Sequence, residues 1–254
     1  MNIVKCNDLT KLFPVKRGYL REEAGVVRAV DGVSLDIEKG ETFGLVGESG
    51  CGKTTLGKII LGILKPDSGE VELATGKLQV IFQDPYNSLD PKMRVGNIIG
   101  EGLVLKGVGC RVKGEGSGVK GQVEEMLDLV KLPKESAHKY PHQFSGGERQ
   151  RIAIARAVVT RPEFIVCDEP VSSLDVTVQL QILNLLKDIQ KNFGITYLFI
   201  SHDLRVIKYM CNRVAVMKQG KIVEEGTTQT VYSKPSAPYT KLLLSSVLFY
   251  DYQR

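Results

Sequence analysis

The chain contains no apolar run approaching the ~18–20 residues that a membrane-crossing helix needs, so no segment is expected to span a bilayer. Its first residues, Met1-Asn2-Ile3-Val4-Lys5, lack the apolar core of a signal peptide. A cytosolic chain that meets a membrane only through a partner is therefore expected. Cysteines are few: Cys6, Cys51, Cys110, Cys167 and Cys211 lie far apart, are odd in number and form no C-x-x-C pair. That argues against a disulfide framework or a zinc site and suits a reducing compartment. There is no internal repeat and no long heptad pattern, which removes solenoids and coiled coils. A formal net charge of +5 over 254 residues is too mild to argue for nucleic acid or anionic lipid. What is present, 43% hydrophobic and 25% charged residues, is ordinary for a globular protein large enough to hold a core and an insertion.

Gly47-Glu48-Ser49-Gly50-Cys51-Gly52-Lys53-Thr54-Thr55 fits the phosphate-binding pattern G-x-x-x-x-G-K-S/T. Its flanks suit the motif. Thr42 to Val46 is apolar enough for a buried strand, and Leu56 to Leu64 carries apolar residues at helical spacing. Glycines at 47, 50 and 52 let the backbone turn tightly, so that successive N–H groups can face phosphate oxygens at the positive end of a helix dipole. Lys53 is expected at the β- and γ-phosphates, and the Thr54 hydroxyl on Mg²⁺. Main-chain donors around Cys51 would favour its thiolate, and a thiol reagent is expected to compete with nucleotide there.

Five further stretches carry chemistry. The strand Leu78–Phe82 delivers Gln83 to a proline-rich segment, Asp84–Pro91, that reads as irregular; a glutamine so placed can touch Mg²⁺ or a water. Ser145, Gly146 and Gly147 stand at a helix start and form a second anion site, with the following helix read over Ile152–Thr160. The buried strand Phe164–Cys167 ends in Asp168, placed to hold Mg²⁺ through water, and Glu169, placed to activate the attacking water. Asp175 opens the amphipathic helix Val176–Phe193, and the strand Ile195–Ile200 ends at His202, which can donate to a γ-phosphate or orient a water. Phe13 and Tyr19, in a basic excursion spanning Lys11–Arg28, are candidates to stack on adenine. Residues 92–143 show helical spacing at Val95–Leu105 and Val123–Val130 and no strand signal, which indicates a helical insertion. Six glycines between 107 and 121 mark a mobile surface loop within it.

In this order, the phosphate loop, Gln83, Phe144–Glu148, Asp168-Glu169, Asp175 and His202 resemble the nucleotide-binding subunit of an ATP-binding cassette (ABC) transporter. The resemblance covers nearly the whole chain. It implies an α/β fold: a P-loop NTPase core with an N-terminal antiparallel β subdomain and an inserted helical subdomain. The boundaries expected are 1–91 and 160–234 for the core, 92–159 for the helical subdomain with its signature, and 235–254 for a tail. It also implies an ATPase that binds ATP and Mg²⁺ and dimerises with an identical or paralogous cassette. Ser145 and Gly147 of one subunit would bind the γ-phosphate held by the other, Asp175 would link the sites, and His202 would position the γ-phosphate. Phe82–Pro91 and Ala237–Leu243 are similar to the oligopeptide, dipeptide and nickel import branch. Membrane-spanning permease subunits, a solute-binding protein and a peripheral place on the cytoplasmic face follow from that likeness. Glu148 stands where Gln is common in the signature. A soluble ABC ATPase acting on an enzyme, nucleic acid or ribosome is the alternative. It is disfavoured because no long coiled coil separates phosphate loop and signature, and the chain has one cassette. A regulator without turnover is disfavoured by Glu169 and His202.

Overall fold

The structure, a computed structural model, describes residues 1–17, 22–105 and 118–247. In chain order its first elements are β1 (Asn2–Arg17), β2 (Glu22–Glu38), β3 (Thr42–Val46), α1 (Lys53–Ile60), β4 (Ser68–Leu73) and β5 (Leu78–Ile81). There follow α2 (Pro85–Ser88), α3 (Val95–Leu105), α4 (Val119–Leu129), two short 3₁₀ turns, α5 (Gly146–Val158), β6 (Phe164–Asp168) and α6 (Val176–Phe193). The last are β7 (Thr196–Ser201), α7 (Leu204–Met210), β8 (Arg213–Lys218), β9 (Lys221–Thr227), α8 (Thr228–Ser233) and α9 (Pro238–Val247). The chain divides into two compact units, Met1–Gly76 with Thr196–Arg254, and Lys77–Ile195.

In the first unit β1 pairs antiparallel with both β2 and β4. Val4, Cys6, Leu9, Val33, Leu35 and Ile37 are buried, as the near-alternating pattern of a half-buried sheet requires. Strands β7, β3, β8 and β9 lie side by side in that order. β3 runs parallel to β7 and β8, and β9 returns antiparallel to β8. All five residues of β3 and all six of β7 are buried, which explains why both read as continuous apolar runs rather than alternating ones.

In the second unit β5 and β6 pair in parallel, from Leu78 opposite Phe164 to Ile81 opposite Cys167. Helices α3, α4 and α5 pack on one another, and their Ile98, Ile99, Leu103, Val123, Met126, Leu127, Ile152 and Ile154 are all buried. Asp175 caps α6 by accepting the Val178 N–H at 3.0 Å, and Gly194, at φ 65°, ends it.

Several expectations are corrected. The basic excursion is not an excursion: its described residues continue the β1–β2 hairpin, with Leu12 opposite Arg28 and Phe13 opposite Val27. Main-chain pairing carries the hairpin past the point where its side chains stop alternating. Asp84–Pro91 is not wholly irregular, because Pro85 opens the single helical turn α2, where its missing N–H costs nothing. The helix expected over Ile152–Thr160 begins at Gly146, inside the signature itself. The helix after the phosphate loop ends at Ile60, not Leu64, with Gly62 at φ 70° just beyond. Within the glycine-rich stretch, Gly118 caps α4 and Gly121 lies inside it. Tyr19, Cys110 and Gly107, Gly109, Gly114 and Gly116 lie outside the described residues.

Candidate nucleotide site

The phosphate loop leaves β3 at Gly47 and enters α1 at Lys53. Two glycines are there for lack of room. A Cβ on Gly52, whose φ is 111°, would meet the Ala29 carbonyl oxygen at 1.9 Å, and one on Gly47 would meet that of Met217 at 2.1 Å. Lys53 is only 5% exposed. Its ammonium donates to the carbonyl oxygens of Gly47 and Glu48, each at 2.8 Å, and lies 3.7 Å from the Cys51 sulfur. A buried cation is thus held against its own loop by neutral acceptors, which a phosphate can replace with a stronger, charge-assisted contact. Glu48, Ser49, Gly50 and Thr54 are exposed, Gly52 and Thr55 half-buried, and Cys51 buried.

Because Val46 of β3 sits opposite Ser201 of β7 in a parallel pair, the phosphate loop and His202 leave the sheet at the same edge. His202 is exposed there. The Ser201 hydroxyl accepts the Asp203 N–H at 3.0 Å, and Asp203 takes the N–H and guanidinium of Arg205 at 2.8 and 3.1 Å. Burial works to raise the Asp203 carboxyl, but its bonds to Arg205 outweigh that and hold it below its ordinary value. Phe13 is 40% exposed on β1, with the Lys11 ammonium 5.9 Å from its ring centre.

In the second unit the same parallel logic makes Gln83, two residues past β5, leave the sheet at the same edge as Asp168 and Glu169, since Ile81 pairs with Cys167. Gln83 is exposed, Asp168 buried and Glu169 half-buried. Glu169 has φ 49°, a region that a residue with a side chain enters only when its surroundings impose it. The backbone N–H and hydroxyl of Ser172 both donate to the Glu169 carbonyl, at 3.3 and 3.2 Å. Gln179 holds the next turn by donating to the carbonyls of Val171 and Leu174, both at 3.0 Å. Asp175 follows, exposed at the start of α6.

The signature forms a reciprocal cap. The Ser145 N–H donates to Glu148 at 2.8 Å, its hydroxyl does so at 2.9 Å, and the Glu148 N–H returns to the hydroxyl at 3.3 Å. Gly146 is exposed and Gly147 half-buried; a Cβ on Gly147 would come within 2.5 Å of Val178 on α6, so packing favours glycine there. The Ser145 N–H, and then its hydroxyl, hold the Glu148 carboxyl below its ordinary value. A group depressed in the fold stabilises above its unfolded value, and that contribution disappears as pH falls through the folded value. The melting-temperature advantage of wild type over Glu148→Gln is therefore expected to shrink from neutral pH to below about pH 4, measured by thermal melts.

Sequence reasoning missed the contacts that tie these pieces together inside each unit. Arg149 lays its guanidinium 4.7 Å from the Tyr86 ring centre and donates to the Pro141 carbonyl at 2.8 Å, while Arg156 donates to the Ser88 carbonyl at 2.5 Å. Both cations thereby fasten α2, just beyond Gln83, to α5. No spacing rule announces such pairs.

A phosphate loop with a buried lysine, together with strand-end carboxylates and a capped glycine signature, defines a nucleoside-triphosphatase of the cassette type. The family model described as ABC transporter matches residues 30–172, and the chain belongs to that family as an ATP-binding ATPase subunit. It is 49% identical over 239 residues to the oligopeptide transport ATP-binding protein OppF of Bacillus subtilis, across 88% of this chain and 77% of that protein. It is 47% identical to a Brucella abortus protein whose name assigns it to peptide import ATP-binding, across 96% of this chain and 76% of that one. Among solved structures, the ATP-binding cassette MJ0796, a dimer bound to ADP and Pi, superposes with a TM-score of 0.74 at 29% identity, covering 89% of this chain and 98% of that one. CbiO1 of Clostridium perfringens, part of the ABC transporter complex cbiONQ, superposes with a TM-score of 0.75 at 27% identity, covering 92% and 91%. The family match ends before Asp175 and His202.

Proposed function

We propose that this chain hydrolyses ATP to power the import of peptides through separate membrane-spanning subunits, working as one of two cassettes that close around ATP. The observation that carries the reading is the buried Lys53, held by two carbonyls of its own loop and ready to exchange them for a triphosphate. Peptides rather than nickel are favoured because the relatives matched over most of the chain bear peptide-transport names.

The roles follow from chemistry. Lys53 and the loop from Gly47 to Thr55 neutralise and align the phosphates, and phosphoryl transfer needs such positioning more than covalent help. Glu169 takes the proton of the attacking water, Gln83 orients that water, and His202 donates to the γ-phosphate. Ser145, Gly146 and Gly147 offer a hydroxyl and helix-end N–H groups to the γ-phosphate of the partner cassette, and Asp175 links the two sites. Thr54, Gln83 and Asp168 present oxygen, the donor type that Mg²⁺ accepts alongside phosphates, and these residues would hold it. When bound, Mg²⁺ supplies neutralisation of phosphate charge. A solute-binding protein outside the membrane completes the assembly.

Among the described residues no helix is long and apolar enough to cross a membrane, so membrane attachment is assigned to the permease partners. Purified protein is expected to stay in the supernatant with neutral liposomes, to co-sediment when the permease subunits are reconstituted, and to hydrolyse ATP faster when a peptide-loaded binding protein is added. Tight binding to bare neutral liposomes would contradict the assignment. Turnover indifferent to permease and peptide would replace it with the soluble class.

A further inference from the structure

The chain returns to the phosphate loop at its far end. Tyr239, the second residue of α9, is 7% exposed, and its phenol oxygen accepts the Glu48 N–H at 3.2 Å. Lys218, at the end of β8, holds its ammonium 4.5 Å from the Tyr239 ring centre. The entry to α9 is fixed by Glu224 of β9, which accepts the Ser236 N–H at 2.7 Å, the Ser236 hydroxyl at 2.9 Å and the Ala237 N–H at 3.0 Å. A second support comes from the β8–β9 turn, where the Gly220 N–H donates to the Cys51 carbonyl at 3.0 Å.

One peptide unit is therefore gripped on both edges. Its carbonyl, Gly47 O, is held by Lys53; its N–H, that of Glu48, is held by Tyr239. These two holds differ in what a nucleotide does to them. Lys53 must leave Gly47 O to reach a phosphate, whereas nothing asks Tyr239 to let go. We propose that Tyr239 is a positioning residue for the phosphate loop, fixing the Gly47–Glu48 peptide so that the loop keeps its open ring when Lys53 turns to the nucleotide. Burial, and the Glu48 carboxylate beside it, push the phenol above its ordinary value, so it stays a neutral hydroxyl throughout the neutral range. The inference rests on residues 47–55 being the phosphate site.

Preorganisation of this kind acts on ground-state binding, so its loss should raise KM and leave kcat nearly untouched. Tyr239→Phe removes the hydroxyl and keeps the buried ring. It is expected to raise both KM and Kd for ATP by about 3- to 10-fold, with kcat changed less than about two-fold. Without nucleotide, hydrogen exchange of the Glu48 amide should quicken by about ten-fold. Glu224→Gln, which loosens the start of α9 and leaves the phenol in place, should move the same quantities in the same direction by less. Lys53→Ala separates the two levels of the argument. If that variant still binds ATP, the phosphate-site reading fails. If it does not, while Tyr239→Phe keeps wild-type KM and wild-type exchange at Glu48, the positioning role alone is overturned. A lowered melting temperature with unchanged KM in Tyr239→Phe would likewise reduce Tyr239 to packing.

Discussion

Lys53→Ala is expected to lower the affinity for Mg-ATP by about 100-fold or more, the effect of removing one partner of a desolvated charge pair, with isothermal calorimetry as the measurement. Two features make the effect large. Lys53 is 5% exposed, so its attraction for phosphate is weakly screened, and its present partners are neutral carbonyls that yield to an anion. Lys53→Arg tests whether charge alone suffices. A planar guanidinium cannot fit the position where a compact ammonium sits between two carbonyls 2.8 Å away, so arginine should recover little of the loss. In neither variant should the fold fail, since β3 and α1 keep their buried apolar residues. Undiminished affinity in the alanine variant would remove the loop from the phosphate site.

The contrast between Lys53 and Tyr239 shows where sequence reading reached and where it stopped. Strand, loop and helix around Lys53 are consecutive, so composition and spacing located all three. The same holds for Asp168 at the end of β6, His202 just beyond β7 and the span of α6, whose start has its own cap in Asp175. Elements whose signal is weak went unread. β4 is exposed along nearly its whole length, with only Val71 half-buried, so no apolar alternation announces it. α7 and α8 are seven and six residues long, too short for a helical period to stand out. The outer half of the β1–β2 hairpin leaves Val26 and Val27 exposed, which hides it from any core-based pattern. The contact between Tyr239 and Glu48 joins residues 191 positions apart, and no local rule reaches so far. What a sequence window sees is local chemistry; the supports that hold such chemistry in place arrive by tertiary contact.

Glu169→Gln is expected to reduce kcat by about 10²- to 10⁴-fold, the range for a lost general base, while Kd for ATP changes by no more than a few-fold. Single-turnover assays read the first quantity and calorimetry the second. Because binding continues without hydrolysis, ATP should hold this variant as a dimer that gel filtration resolves from the nucleotide-free chain. The backbone at this position allows a sharper test. Glu169 is held at φ 49°, a conformation that costs a residue with a side chain about 1–2 kcal/mol and glycine almost nothing. Glutamine keeps the same strain, so its melting temperature should match wild type. Glu169→Gly relieves the strain, and removing the carboxylate still abolishes turnover. The glycine variant should thus be as inactive as the glutamine one and no less stable than wild type, despite glycine's usual entropic cost. Loss of activity with stability retained in both is the signature of a carboxylate kept for its chemistry. Wild-type turnover in Glu169→Gln would pass the role of base to another group.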